Sequence, residues 1–324
     1  MAKRSLIDQL DQAVEAIIAH PDSALPPADS KLATLLRIAA DLRDLPSEDF
    51  KARVKADLER KGSMTTTAVK PIREGFHTIT PYLIVPGAAQ LIEFLKQAFG
   101  ANEVLRAKRP DGTIMHAEVR IGDSMVEMAD ATAQFPATPA AIHLYVNDAD
   151  AVYKRALRAG ATSMQEPVDQ PYGDREAGVK DMSGNQWYIA THRGARHVPE
   201  GLRSVTPYLF PRGAAQLIDF LKEAFGAEET FRAQSPDGTI VHAKVKIGDS
   251  ILEMGEAHGE YQPMPCVLHL YVNDTDALYE RALRAGATSL REPRDEPYGD
   301  RGAGVRDPFG NDWFIATHIK DVPL

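Results

Sequence analysis

The chain has 324 residues, 44% of them hydrophobic and 26% charged, enough for two or three globular domains of ordinary size. A formal net charge of −9 leaves no basic surface for a phosphate backbone, which argues against nucleic acid as a partner. The single cysteine, Cys266, excludes an intrachain disulfide and a cysteine-based zinc site and suits a reducing cytoplasm, the expected location. No apolar run reaches the ~18 residues of a membrane span, so no membrane association is expected. The start, Met1-Ala2-Lys3-Arg4 followed by an amphipathic acidic stretch, does not read as a signal peptide.

Taken in chain order, the first elements are helical. Leu6, Leu10, Val14, Ile17 and Ile18 share one helical face, and a loop with Pro21, Pro26 and Pro27 ends that helix. Leu32, Leu35, Leu36, Ala39 and Leu42 make a second stripe. Ser47 is placed to cap a third helix carrying Phe50, Val54 and Leu58. The reading is a helical region over 1–62 and a polar linker over 63–77. Three short helices have little core of their own. They are expected to dock on the rest of the chain, on a second copy in a homodimer, or on another protein.

From residue 78 onward the sequence repeats itself. Thr80-Pro81-Tyr82-Leu83 returns as Thr206-Pro207-Tyr208-Leu209, and Pro110-Asp111-Gly112-Thr113-Ile114 as Pro236-Asp237-Gly238-Thr239-Ile240. His143 to Asp148 returns as His269 to Asp274, and Ile189 to His192 as Ile315 to His318. Every pair is offset by 126 residues, and a constant offset means one fold copied whole. The two copies are read as domains over 78–193 and 204–319.

Within the first copy, 79–85 suits a strand and 88–99 a helix closed by Gly100. Strands are predicted near 102–108, 113–120 and 124–129, with turns at Pro110-Asp111-Gly112 and Gly122-Asp123. The same β-α-β-β-β order then recurs: strand 140–146, helix 148–159 ending at Gly160, and strands near 161–166, 175–181 and 185–191. The chain thus holds four βαβββ modules in two pairs, and each repeat is expected to close one curled mixed sheet from its own two modules. The fold class is α+β.

This module order resembles the vicinal oxygen chelate superfamily of glyoxalase I, bleomycin-resistance proteins and extradiol dioxygenases. The residues that carry the resemblance are Phe94-Leu95, Ala98-Phe99-Gly100, Val126-Glu127-Met128, Ala156 to Gly160, and the Asp181 to Asn185 turn before Trp187. Tyr172-Gly173-Asp174-Arg175 with Ile189 to His192 is most similar to an uncharacterised glyoxalase-like branch. The resemblance implies helices on the convex face of each sheet and a ligand site on the concave face. It also implies a divalent metal at four places, which fall here on Thr80, Glu127, Ala141 and Tyr188, and on Thr206, Glu253, Val267 and Phe314. Only the glutamate of each set is a ligand.

Strand alternation assigns the faces. Ile142, Leu144 and Val146 should meet the helices, leaving Ala141, His143 and Tyr145 inside. Leu83 and Val85 pack, and Thr80, Tyr82 and Ile84 look in. Met115, Ala117 and Val119 pack, and Ile114, His116 and Glu118 look in. Glu127 and Tyr188 also look in, while Trp187 packs. The candidate ligand-binding set is therefore Tyr82, His116, Glu127, His143, Tyr145 and Tyr188, repeated as Tyr208, His242, Glu253, His269, Tyr271 and Phe314. A shifted metal site of two histidines and a carboxylate would use His116, Glu127 and His143, with His242, Glu253 and His269 in the second copy. Arg175 and Arg301 are candidates to clamp a ligand carboxylate, the alternative being a loop salt bridge with the neighbouring aspartates. His192 and His318 should be exposed after their strands, and Cys266, opposite Ala140 in the first copy, reads as a small strand residue.

The leading functional expectation is a binding protein for a small organic ligand with two similar concave sites and no required cofactor. A second is a metal-dependent lyase, isomerase or dioxygenase that holds a divalent metal at the shifted site. A third is an interaction scaffold acting through the N-terminal helices.

Overall fold

The computed structural model describes residues 69–259 and 261–322. The helical region expected over 1–62 lies outside the described residues. Among the described residues the first repeat runs β1 (Ile79–Val85), α1 (Ala88–Phe99), β2 (Asn102–Lys108), β3 (Ile114–Ile121) and β4 (Ser124–Asp130). Its second module is β5 (Ala141–Tyr145), α2 (Ala149–Arg158), β6 (Thr162–Asp169), β7 (Asp174–Lys180) and β8 (Gln186–His192). The second repeat follows as β9 (Val205–Leu209), α3 (Ala214–Phe225), β10 (Glu228–Gln234), β11 (Ile240–Ile247) and β12 (Ser250–Met254). It ends with β13 (Val267–Tyr271), α4 (Thr275–Arg284), β14 (Thr288–Asp295), β15 (Asp300–Arg306) and β16 (Asp312–His318). The expected βαβββ order is present four times.

The helices begin and end where local chemistry dictates. The Asp130 carboxylate accepts from the backbone amides of Gly87 and Ala88, both at 2.8 Å, and so caps α1 from a neighbouring strand. Gly100, at φ 69°, closes α1 with its amide on Lys96, and Ala101 reaches back to Leu95. Asp148 caps α2 through the Ala151 amide at 2.9 Å.

The sheets do not follow the repeats. One eight-stranded sheet has the order β14-β15-β16-β13-β1-β4-β3-β2, and the other β10-β11-β12-β9-β5-β8-β7-β6. The expectation that each repeat closes its own sheet is therefore corrected. The first module of each repeat joins the second module of the other, through antiparallel β1–β13 and β5–β9 pairings. Thr80 sits opposite His269, and Thr206 opposite His143. The two modules of one repeat meet instead through their helices. Arg155 of α2 donates to the Ala98 carbonyl at the end of α1 at 3.2 Å, and Phe99 packs on Trp187 with ring centroids 4.8 Å apart. One continuous apolar core includes Leu83, Leu91, Leu95, Trp187, Leu221 and Trp313, all fully buried.

Alternation predicts most faces but fails at one place in each copy. Ile114 is buried in the core and Met115 is 52% exposed, the reverse of expectation. The β2–β3 register shifts there: Ala107 pairs with His116 and Lys108 with Ile114, leaving Met115 as an unpaired bulge residue. The same bulge exposes Val241 and buries Ile240. Among the described residues no helix is long and apolar enough to cross a membrane.

Candidate functional sites

Each sheet carries helices on one face and a cluster of polar and aromatic side chains on the other. Because the sheets are shared, each cluster is built from both repeats. The first site takes Tyr82, His116, Glu118 and Glu127 from the first repeat and His269, Tyr271 and Phe314 from the second. The second site takes His143, Tyr145, Glu176 and Tyr188 from the first repeat and Tyr208, His242, Lys244 and Glu253 from the second. The trio His116, Glu127 and His143 is thus split by the fold, as is His242, Glu253 and His269. What the fold brings together is Glu127 with His269, at 2.7 Å, and Glu253 with His143, at 2.8 Å. Sequence alternation placed these side chains on the correct face, but it does not specify which module pairs with which.

His143 and Glu253 are both buried, whereas Glu127 is buried against a half-buried His269. Burial alone would lower the His143 pKa, yet the Glu253 and Glu176 carboxylates raise it to about 10. Burial opposes ionisation of Glu253 as well, but the charge of His143 outweighs it and holds that carboxyl low. His269 is raised in the same way, burial being overcome by Glu127. The His143 Nε2 is buried without a hydrogen-bond partner; Glu176 lies 3.4 Å away, off hydrogen-bond alignment. His242 stands on the other side of Glu253, its Nε2 3.6 Å from Oε1, and burial lowers its pKa. One carboxylate thus lies between an imidazole held charged and an imidazole whose pKa is lowered by burial.

Below each pair lies a second layer. Tyr145 packs against His143 with tilted rings, centroids 4.3 Å apart, and donates to Asp174 at 3.0 Å. Asp174 also contacts His192 Nδ1 at 2.6 Å. Tyr271, Asp300 and His318 repeat this at 2.9 and 2.7 Å. His192 and His318 are therefore not the exposed strand ends expected; His318 is buried because Asp300 draws it inward. Arg175 and Arg301 are also corrected as carboxylate clamps. Arg175 grips Asp150 of α2 at 2.7 and 2.8 Å and Asp169 at 3.1 Å. Arg301 grips Asp276 and Asp295. Strand alternation turns both guanidiniums toward the helices, away from the site face.

Four functional candidates escaped the sequence reading: Arg73, Glu118, Glu176 and Lys244. Glu118 was read as inward-facing, but its role was not. It receives His116 Nε2 at 3.1 Å and an ion pair from Arg73. Burial would raise its pKa, and these two partners lower it on balance. Arg73 arrives from the segment expected to be a polar linker, which in fact tucks Phe76 against Tyr271 with centroids 5.5 Å apart. The missing signal lay in where the repeats differ. At the fixed offset Glu118 becomes Lys244, Glu176 becomes Gly302, and Arg73 becomes Pro199.

The four metal places implied by the family resemblance do not fit a metal. The first sheet brings Thr80, Glu127, Val267 and Phe314 to them and the second Thr206, Glu253, Ala141 and Tyr188, one carboxylate in each. Among the described residues a different trio, His116, Glu118 and Glu127, has one ligand atom from each within 4.8 Å of the others. The second site has no counterpart, because Lys244 puts an ammonium 3.4 Å from Glu253 where the first site has Glu118.

Comparison with known proteins agrees with this architecture. The profile of the glyoxalase/bleomycin resistance protein/dioxygenase superfamily matches residues 75–189 and 204–315. The chain belongs to that superfamily. Uncharacterized proteins of Mycobacterium bovis and Mycobacterium tuberculosis are 39% identical over 132 residues, which cover 37% of this chain and 87% and 78% of theirs. Glyoxalase I from Zea mays superposes with a TM-score of 0.57 at 17% identity, over 74% of this chain and 92% of that one. A putative dioxygenase from Bacillus subtilis does so at 0.50 and 15%, over 78% and 87%. Both structural likenesses concern the fold.

Proposed function

We propose that this superfamily member binds small organic molecules on the helix-free faces of its two sheets, each site being walled by both repeats. The observation that carries this reading is the His–Glu pair at the centre of each wall, Glu127 with His269 and Glu253 with His143, set among tyrosines on the helix-free face. These tyrosines offer flat apolar area with polar tips, the usual lining of a ligand site. The test is ligand screening with crystal soaks on the full chain. Ligand is expected against His143 or His269, and a His143→Gln/His269→Gln double variant should weaken binding by at least about 1 kcal/mol. Ligands found only elsewhere on the molecule sink the proposal.

A second reading concerns only the first site and rests on its His116, Glu118 and Glu127 cluster. One imidazole and two carboxylates suit a divalent cation such as manganese or zinc, which would polarise oxygens of a bound ligand. Both carboxylates already have cationic partners, Arg73 and His269, so a metal has to compete with them. Equilibrium dialysis with manganese or zinc is expected to give one ion per chain, lost in Glu118→Lys; no uptake, or two ions, refutes this reading.

A further inference from the structure

The two sites share a plan but differ in one residue that sets the charge presented to a ligand. In the first site Glu118 is neutralised by Arg73, whose guanidinium also lies 4.2 Å over the Phe76 ring and covers the wall. In the second site Lys244 replaces Glu118, and Pro199 stands where Arg73 would come from. Here the wall opens onto a groove of about 1130 Å³ between the 195–204 segment and β10–β12, which Lys244 and Lys246 line. Lys244 contacts Glu253 at 3.4 Å, but His143 already counters that carboxylate from 2.8 Å. The ammonium therefore keeps donors for a ligand. On the groove rim Asp249 is engaged by His77 and Arg203, while Arg196 and Lys246 make no ion pair among the described residues. Asp123, 3.7 Å from Arg203, and Glu200 are the other carboxylates that line the groove.

The same row of the sheet leads from this ammonium to an aromatic surface. Lys244 pairs with Glu253 and Glu253 with Tyr208 across neighbouring strands, so Lys244 and Tyr208 lie about 10 Å apart on one face. His242 stacks on Tyr208, with centroids 5.8 Å apart, and Phe210 lies 4.8 Å beyond. Phe210 stacks in turn on Tyr261 at 5.3 Å, and Tyr188 comes within 6.0 Å of Tyr208. The first site has Ile84 where the second has Phe210.

We propose that the second site is selective for a planar aromatic carboxylate, its acid group on the Lys244 ammonium and its ring against the aromatic cluster around Tyr208. The first site, with a carboxylate at the corresponding position, does not take this ligand. The inference rests on the reading of the helix-free faces as ligand sites. Calorimetry of the full chain with trans-cinnamate and with its neutral amide tests it. Cinnamate is expected to bind once per chain and at least about tenfold more tightly than cinnamamide, the scale of a charge-assisted hydrogen bond. Lys244→Gln should bring the acid down to the amide's affinity, and Lys244→Arg should retain the preference. Equal binding of acid and amide, two equivalent sites, or a preference that survives Lys244→Gln overturns the proposal. If the amide binds and Tyr208→Ala abolishes that binding, a missing acid preference refutes this inference alone. If neither probe binds, the ligand-site reading of this face fails with it.

Discussion

At the residue scale, what distinguishes this chain is an imidazole held charged by a buried carboxylate, twice. Removing one member of such a pair leaves the other charge in the interior without its counter-charge, a loss of about 3 kcal/mol or more. The pair also makes stability depend on pH with a definite sign. His143 ordinarily titrates at 6.5 and is raised to about 10 in the folded chain. A raised group stabilises fully below its unfolded pKa and loses that contribution as pH climbs through the folded value. Glu253 is lowered from 4.5 to about 2, so its contribution is present above 4.5 and disappears in acid. The stability difference between wild type and His143→Gln should therefore be largest between about pH 4.5 and 6.5 and shrink steadily toward pH 10. Urea titrations of both proteins across that range check it; a difference that is flat or grows with pH would show that His143 is neutral in the fold.

At the element scale, the exchange of modules between repeats depends on two tight turns that button one repeat onto the other. The β11–β12 turn presents Asp249, which accepts from the Thr78 amide at 2.8 Å, while Ser250 accepts from the Ile79 amide at 3.0 Å. The β3–β4 turn mirrors this with Asp123 on the Ser204 amide at 2.9 Å and Ser124 on Val205 at 3.1 Å. The glycine before each aspartate is required by both conformation and space. Gly248 has φ 59°, and a Cβ there would stand 2.3 Å from Thr78 Oγ1; Gly122 has φ 60° and would meet Ser204 Oγ at 2.2 Å. Gly112, at φ 86° with nothing within 4 Å, is the natural control. Gly248→Ala is expected to cost about 2–3 kcal/mol and Gly112→Ala about 1 kcal/mol, measured as the fall in urea midpoint. Equal losses would show that the close approach is not tight. Elements of this kind mark the limit of what the sequence discloses. The turns Gly122-Asp123 and Gly248-Asp249 are legible as turns, and the inward faces of β1, β4, β5 and β8 are legible as alternation. The partner across each turn is not, because Asp249 and Thr78 are 171 residues apart and local pattern carries no register. For the same reason the site histidines were found and their carboxylate partners exchanged. The bulge at Met115 escaped because an extra residue in one strand leaves no mark on hydrophobic period.

For the whole molecule, the shared sheets mean that neither repeat is complete. A single repeat supplies one half of each sheet: β1 lacks β13, and β5 lacks β9. An isolated repeat would leave those two strands as open edges and both His–Glu pairs broken, with Glu127 and His143 buried without their partners from the other copy. Exposed strand edges seek another chain, and the copies are alike enough that a second repeat is the ready complement. If the connector between β8 and β9 is cut, by expressing 1–199 and 200–324 as separate chains in one cell, the halves should remain associated. They are expected to purify together and migrate at the mass of the intact protein in light-scattering chromatography. The first half made alone should self-associate, since β1 of one copy can pair with β5 of another, with Thr80 then facing His143 as it faces His269 in the intact chain. A first half that is folded and monomeric would contradict the shared-sheet topology, because its two modules would then have closed on each other. The outcome bears directly on the sites: where the repeats separate, His143 loses Glu253 and Lys244 together, and any ligand binding at the second site should vanish with the association and return when the halves are mixed.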